Sequence, residues 1–313
     1  MRLPMQLNHI NLWLLEDEGG WTIVDTGIRD QVTKDAWEAL FAGAMQGKPI
    51  RRVIVTHLHP DHVGMAGWLT RRAEVMLWMS RTDYFLCRNL VADTGQKAPE
   101  EGIRFYRGAG FSDEQIENYK ERFGGFGKGV SRLPQSYRRI QDGEEIAIGA
   151  RVWKVVVGRG HAPEHACLWC EAENIFISGD QILPRISSNV SLFPTEPDAN
   201  PLQEWLDSCA KLKDLLPKDI LVLPSHNEPF RGAATRLKEL IDDHEQNMDK
   251  LVELCREPKR AVDCFPALFR SRITSGVYGM ATGESLAHLS CLMARGRMAK
   301  HRDAHGVDWY ETV

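Results

Sequence analysis

Short runs of β-branched and aliphatic residues recur along the chain, and several of them end on an imidazole or a carboxylate. Val53-Ile54-Val55 runs into Thr56-His57-Leu58-His59-Pro60-Asp61-His62. Val155-Val156-Val157 leads to Gly160-His161, Ile175-Phe176-Ile177 to Gly179-Asp180, and Ile220-Leu221-Val222-Leu223 to Ser225-His226. Strands interleaved with helical patterns make layered α/β sheets, and such sheets collect their ligand sites beyond strand C-termini. Four strands each ending this way constrain the fold more than any composition statistic, because the pattern is hard to explain unless the sheets bring those ends together.

The densest of these ends carries three imidazoles and one carboxylate within six residues. His57 and His59, two apart, share one direction as the strand ends, while Asp61 and His62 turn into a helix and face a neighbouring point. Imidazole and carboxylate suit zinc, iron or manganese. The rest of the chain reads as a strand at His9–Leu15, a hairpin partner at Trp21–Asp25, a helix over Ala36–Ala44, a helix from Asp61 to Arg72 and a strand at Val75–Trp78. From about Arg81 to Arg139 the rhythm breaks into two or three helices, one started by Ser112-Asp113-Glu114-Gln115, and this block reads as an insertion able to cover a site. Phe123–Gly129 is glycine-rich but follows no strand and carries no Ser or Thr after its lysine, so it is not a phosphate loop. Strands follow at Glu145–Ile148 and Val152–Val157. After Phe230 helices take over: a long amphipathic one over Thr235–Leu254, shorter ones near Val262–Arg272 and Gly283–Arg295, then a hairpin from Arg297–Asp303 to Val307–Thr312.

With these residues in hand, the chain resembles the metallo-β-lactamase-fold hydrolases. The motif His-x-His-x-Asp-His is met by His57, His59, Asp61 and His62, and the later Gly160-His161, Gly179-Asp180 and Ser225-His226 follow in the family's order. Asp25-Thr26-Gly27 matches its supporting Asp-x-Gly turn. The resemblance covers roughly residues 8–230 and implies a four-layer αββα sandwich, here in residues 1–230, with residues 231–313 as a small helical, winged-helix-like appendage. It implies two divalent ions, zinc before iron or manganese: one on His57, His59 and His161, the second on Asp61, His62 and His226, with Asp180 bridging. Asp61 and Asp180 are then the catalytic carboxylates of a hydrolase in which a hydroxide shared by two metals attacks an ester-like carbonyl. The absence of a cysteine ligand departs from the true β-lactamases that use one.

A small-molecule thioester or lactone is the expected substrate, with Arg185, Ser187, Phe193 and Tyr137 as candidate contacts. The competing reading is an RNA-cleaving enzyme of the same fold, for which the run Arg295, Arg297, Lys300, Arg302 speaks, against a nearly even balance of charge in residues 231–313. An iron-dependent oxidoreductase is a third reading. Net charge of −4 gives no general attraction to nucleic acid or anionic membranes. No apolar run approaches the roughly 18–20 residues of a membrane span, no signal-peptide pattern opens the chain, and seven scattered cysteines suit a reducing cytoplasm. Cys167 and Cys170 lie inside a strand-like stretch and read as buried thiols. His9, His244, His288 and His301 read as packed or surface residues. His165 reads equally as an orienting partner of a ligand or as structural. Met280, Leu286, Leu289, Leu292 and Met293 suit packing within the appendage or a homodimer contact.

Overall fold

The computed structural model describes residues 1–4 and 7–313. Two five-stranded sheets lie face to face. The first runs in the order β1 (Trp13–Asp17), β2 (Gly20–Val24), β3 (Ile50–Ile54), β4 (Leu77–Met79), β5 (Arg138–Arg139). The second comprises β6 (Glu145–Ile148), β7 (Arg151–Gly158), β8 (His165–Cys170), β9 (Ile175–Gly179) and β10 (Leu221–Pro224), again with sequence neighbours side by side. The β2–β3, β3–β4, β4–β5 and β9–β10 pairs are parallel. Parallel neighbours need crossovers, and in the first half these come from α1 (Gln31–Ala42), α2 (Pro60–Val63), α3 (Ala66–Ala73), α4 (Arg81–Ala92), α5 (Glu100–Gly108) and α6 (Asp113–Arg122). In the second half α7 (Pro201–Leu215) crosses from β9 to β10, and α8 (Ala233–Leu254), α9 (Phe265–Leu268), α10 (Tyr278–Ala294) and the hairpin β11 (Met298–Arg302)–β12 (Asp308–Thr312) complete the chain.

Side-chain alternation builds the layers. Along β3, Val53 packs outward against helices while Ile54 packs inward between the sheets. Along β9, Ile177 faces the interior with Val155 and Leu168, whereas Phe176 faces α7 and α8 with Val156 and Trp169. Helices thus cover both outer faces, giving the expected four-layer sandwich. The core outside the second sheet is continuous with the C-terminal helices: Leu202 and Trp205 of α7 share it with Leu237, Leu251, Leu289 and Tyr310.

Several local expectations need adjusting. The first strand begins at Trp13, because the backbone of His9 and Asn11 is committed to the loop after β10. The helix expected over 61–72 is split into α2 and α3 at Gly64-Met65, whose backbone docks against Gly27 and Ser131. Only Phe265–Leu268 of the expected 262–272 helix is α-helical, after a 3-10 turn. α10 starts five residues earlier than the sequence pattern suggests. The 81–139 stretch contributes β5 to the first sheet and buries Tyr84, Cys87, Val130 and Leu133 in its core. All seven cysteines are buried and free, Cys167 and Cys170 in β8. Leu286, Leu289 and Leu292 are buried within the chain, while Met280 is exposed. No helix among the described residues is long and apolar enough to cross a membrane.

Candidate metal centre

The ends of β3, β7, β9 and β10 meet at one edge of the sandwich. His57 Nε2 lies 2.9 Å from His59 Nδ1 and 3.2 Å from His161 Nε2. Nitrogens about 3 Å apart can share one cation at the roughly 2.0–2.1 Å of zinc–imidazole bonds. Beside this trio, Asp61 Oδ2 lies 3.7 Å from His62 Nε2 and 3.4 Å from His226 Nε2. Asp180 faces both groups: Oδ1 is 3.5 Å from His62 Nε2 and 3.4 Å from His226 Nε2, while Oδ2 is 3.5 Å from His161 Nε2. All seven side chains expected from the sequence are therefore brought together, five of them buried, with Asp61 and His59 half open to solvent.

Three of these atoms are buried and have no hydrogen-bond partner among the described residues: His62 Nε2, His226 Nε2 and Asp180 Oδ1. Orphaned buried polar atoms are rare because each costs about 1–3 kcal/mol, and a shared cation is the partner that suits two imidazoles and a carboxylate at once. The residues fit divalent ions.

The opposite ring nitrogens are tied down, which fixes tautomer and aim. His62 Nδ1 donates to Asp25 Oδ2 at 2.8 Å, His161 Nδ1 to the Asn189 carbonyl at 2.8 Å, and His226 Nδ1 to the His9 carbonyl at 2.8 Å. His57 Nδ1 sits 3.0 Å from Thr56 Oγ1, whose hydroxyl and amide both donate to Asp25. Asp25 reaches this position with a left-handed backbone, φ 61°, a strained conformation that fits a site-supporting turn.

His165 takes the orienting role. It accepts the Asp180 amide at Nε2 (3.0 Å) and stacks on His57 with ring centroids 4.6 Å apart. Gly179 makes this possible: its φ is 53°, and a Cβ there would lie 2.4 Å from His165 Cε1.

Electrostatically the two halves differ. Burial and the surrounding imidazoles push His57 well below its ordinary range, and burial with His161 pushes His59 down to about 3. Burial opposes charge on His62 too, but Asp180, Asp61 and Asp25 win and hold it well above its ordinary range. His226, opposed by burial but facing the carboxylates of Asp180 and Asp61, rises to about 9. Burial works against ionisation of Asp180, yet the adjacent rings of His62, His161 and His226 keep it well below the usual carboxylate range. His57 and His59 are thus held as neutral lone pairs, while the carboxylates of Asp61 and Asp180 favour positive charge on their side of the site.

Sequence reasoning missed two supports. Asp83 of α4, buried and raised to about 6 by burial, accepts the Leu58 amide at 3.0 Å and the Glu164 amide at 2.8 Å, so it braces the backbone between His57 and His59. Its signal was Ser80-Arg-Thr-Asp83, a cap-like spacing whose Ser80 hydroxyl also reaches Asp83. His9, read as packed or surface, supplies its carbonyl to His226 and its ring Nε2 to the Asn227 amide. Of the suggested substrate contacts, Arg185 Nε donates to Glu228 at 2.8 Å, Ser187 meets His244 at 3.2 Å, Phe193 is exposed, and Tyr137 stacks on Tyr84 with centroids 3.8 Å apart.

The family model described as the metallo-beta-lactamase superfamily matches residues 6–226. The chain belongs to that superfamily. A second model, the metallo-beta-lactamase-like C-terminal domain, matches residues 248–313 of this metallo-β-lactamase-fold hydrolase. The chain is 23% identical over 320 residues to a probable metallo-hydrolase, YqjP, of Bacillus subtilis, covering 99% of this chain and 95% of that one. It is similar to the crystal structure of a beta-lactamase domain protein from Burkholderia ambifaria, with a TM-score of 0.90, 38% identity, and coverage of 100% and 91%. It is also 24% identical over 120 residues to an atrochrysone carboxyl ACP thioesterase of Aspergillus fumigatus, 38% of this chain and 26% of that one. A divalent-metal hydrolase is what family and donor set together indicate.

Proposed function

We propose that this hydrolase holds two divalent ions, zinc first among them, and cleaves a thioester or other ester-like bond of a small molecule. The observation that carries this is Asp180, whose two oxygens face separate donor groups, one of them built on orphaned nitrogens. His57, His59 and His161 would hold one ion, and Asp61, His62 and His226 the other. Bound there, the ions supply an acidified water and Lewis-acid polarisation of an acyl oxygen at neutral pH. Asp61, ionised and partly exposed, would orient that water by accepting its hydrogen bond. His59 and Asp61 mark the mouth through which the acyl group enters, because the other five are buried.

The likeness to a thioesterase favours a thioester over a lactone. A groove of about 530 Å³ is lined by three cations, Arg29, Lys34 and Lys128, and one carboxylate, Asp30, together with Met65 and Trp68. Met65 lies three residues past His62, and the cations suit an anionic thiol carrier. The RNA-cleaving reading loses support, since among the described residues three of the four cations of that run, Arg295, Arg297 and Arg302 but not Lys300, are paired with Glu245, Asp249 and Asp308 at 2.9, 2.8 and 2.7 Å.

The test is a hydrolysis screen of acyl-CoA, acyl-glutathione, lactone and RNA substrates on zinc-, manganese- and iron-loaded protein. Thioester turnover that Asp180→Asn lowers by at least about a thousandfold is the expected result. Thioester turnover unchanged in that variant, or RNA cleavage alone, would refute the proposal.

A further inference from the structure

His161 is aimed by a carbonyl from an irregular stretch. After Asp180 the chain runs without regular secondary structure as far as α7, so no sheet ladder or helix holds the Asn189 carbonyl in place. Side chains do. Asn189 Nδ2 donates to Glu284 Oε2 at 2.7 Å, and its Oδ1 accepts from Ser191 Oγ at 2.5 Å. Glu284 belongs to α10, outside the residues that match the catalytic family model. Two further contacts clamp the same stretch to the C-terminal helices. The Leu192 amide donates to the Gly283 carbonyl at 2.9 Å, and Gly283 has to be glycine, because a Cβ would lie 2.7 Å from Ser191 Oγ. Ser187 Oγ lies 3.2 Å from His244 Nε2, His244 Nδ1 lies 3.1 Å from His288 Nε2, and His288 Nδ1 returns to the Glu284 carbonyl at 2.8 Å.

We propose that Glu284 is a positioning residue for the metal centre, acting through Asn189 on His161, and that α8 and α10 are thereby a working part of the site. The relay is short: carboxylate to amide, amide-bearing residue to its own carbonyl, carbonyl to the ring N–H of a ligand. Taking a carboxyl group out of water is costly unless it is bonded, and the half-buried Glu284 spends its bond on the residue that aims His161. Desolvation also raises Glu284 to about 7, and one carboxyl oxygen remains an acceptor for the Asn189 amide when the group is protonated. Partners of this kind typically change metal affinity 10–100-fold when removed.

The inference rests on the two-ion reading, and the experiment separates their failures. Full-length protein is stripped with a chelator and titrated with Co2+, following both affinity and the visible spectrum. Glu284→Ala should weaken cobalt binding about tenfold and shift the band of the His57/His59/His161 position. Glu284→Gln, which keeps an acceptor for Asn189, should bind within about threefold of the parent. Asn189→Ala, which leaves Glu284 and the backbone carbonyl in place, should reproduce the Glu284→Ala loss and serves if that variant does not fold. Parent-like cobalt affinity and spectrum in folded Glu284→Ala or Asn189→Ala would overturn the relay and leave Glu284 a packing residue. A parent protein that takes up no cobalt would overturn the two-ion reading and the relay with it.

Discussion

Gly179→Ala tests how the site is built. A methyl group at this position meets two penalties at once. The backbone is left-handed at φ 53°, which costs a residue with a Cβ about 1 kcal/mol or slightly more. The methyl would also sit 2.4 Å from His165 Cε1 and 2.5 Å from Nε2, so the ring must move. Forcing a buried ring aside costs about 1–3 kcal/mol. Moving it takes the acceptor from the Asp180 amide, and an unsatisfied buried amide costs about 1–3 kcal/mol. The last two overlap, and the expected loss is roughly 2–5 kcal/mol. Urea unfolding followed by tryptophan fluorescence, with chelator present so that metal loss does not enter, measures it. In a His165→Ala background the ring is gone, and Gly179→Ala should then cost only the backbone share of about 1 kcal/mol. Equal costs in the two backgrounds, or a loss below about 1 kcal/mol in the parent, would refute the argument that His165 and Gly179 together hold Asp180.

Asp25→Ala should lower affinity for the ion at the Asp61/His62/His226 position about 10–100-fold by freeing the His62 ring, as read by chelator competition; parent-like affinity would show that Asp25 supports only the turn. Glu284 gives a pH signature. Its folded value of about 7 lies above the ordinary 4.5, so the folded chain binds a proton the unfolded chain releases. The stability from this proton is full below about pH 4.5 and is lost as pH rises through 7, up to roughly 3 kcal/mol. Glu284→Gln lacks this term, so its melting temperature should gain on the parent between pH 5 and pH 8; a constant gap would count against the shift. Zinc at a hundredfold excess over its Kd should raise stability by about 2.7 kcal/mol per site, and an unfolding midpoint indifferent to zinc would argue against the site.

The chemistry was legible in the sequence because it is local. His57, His59, Asp61 and His62 lie within one turn, and His161, Asp180 and His226 each follow an apolar strand whose two-residue alternation marks it on inspection. What lies beyond reach of a linear reading is contact between distant segments. Asp83 looks like an ordinary helix-start acid until α4 carries it under Leu58, and the His9 carbonyl has no sequence signature at all. The same limit explains the arginine run near the C-terminus, which reads as a positive patch until Glu245, Asp249 and Asp308 neutralise it. The sequence alone determined which imidazoles and carboxylates could serve as donors and which strands deliver them, since strand periodicity and donor type are properties of neighbouring residues. Only the tertiary structure decided how those donors are aimed. A ring is oriented by whatever accepts its far N–H, and for His161 that acceptor is held by a carboxylate 123 positions further along the chain, on a helix that carries no ligand.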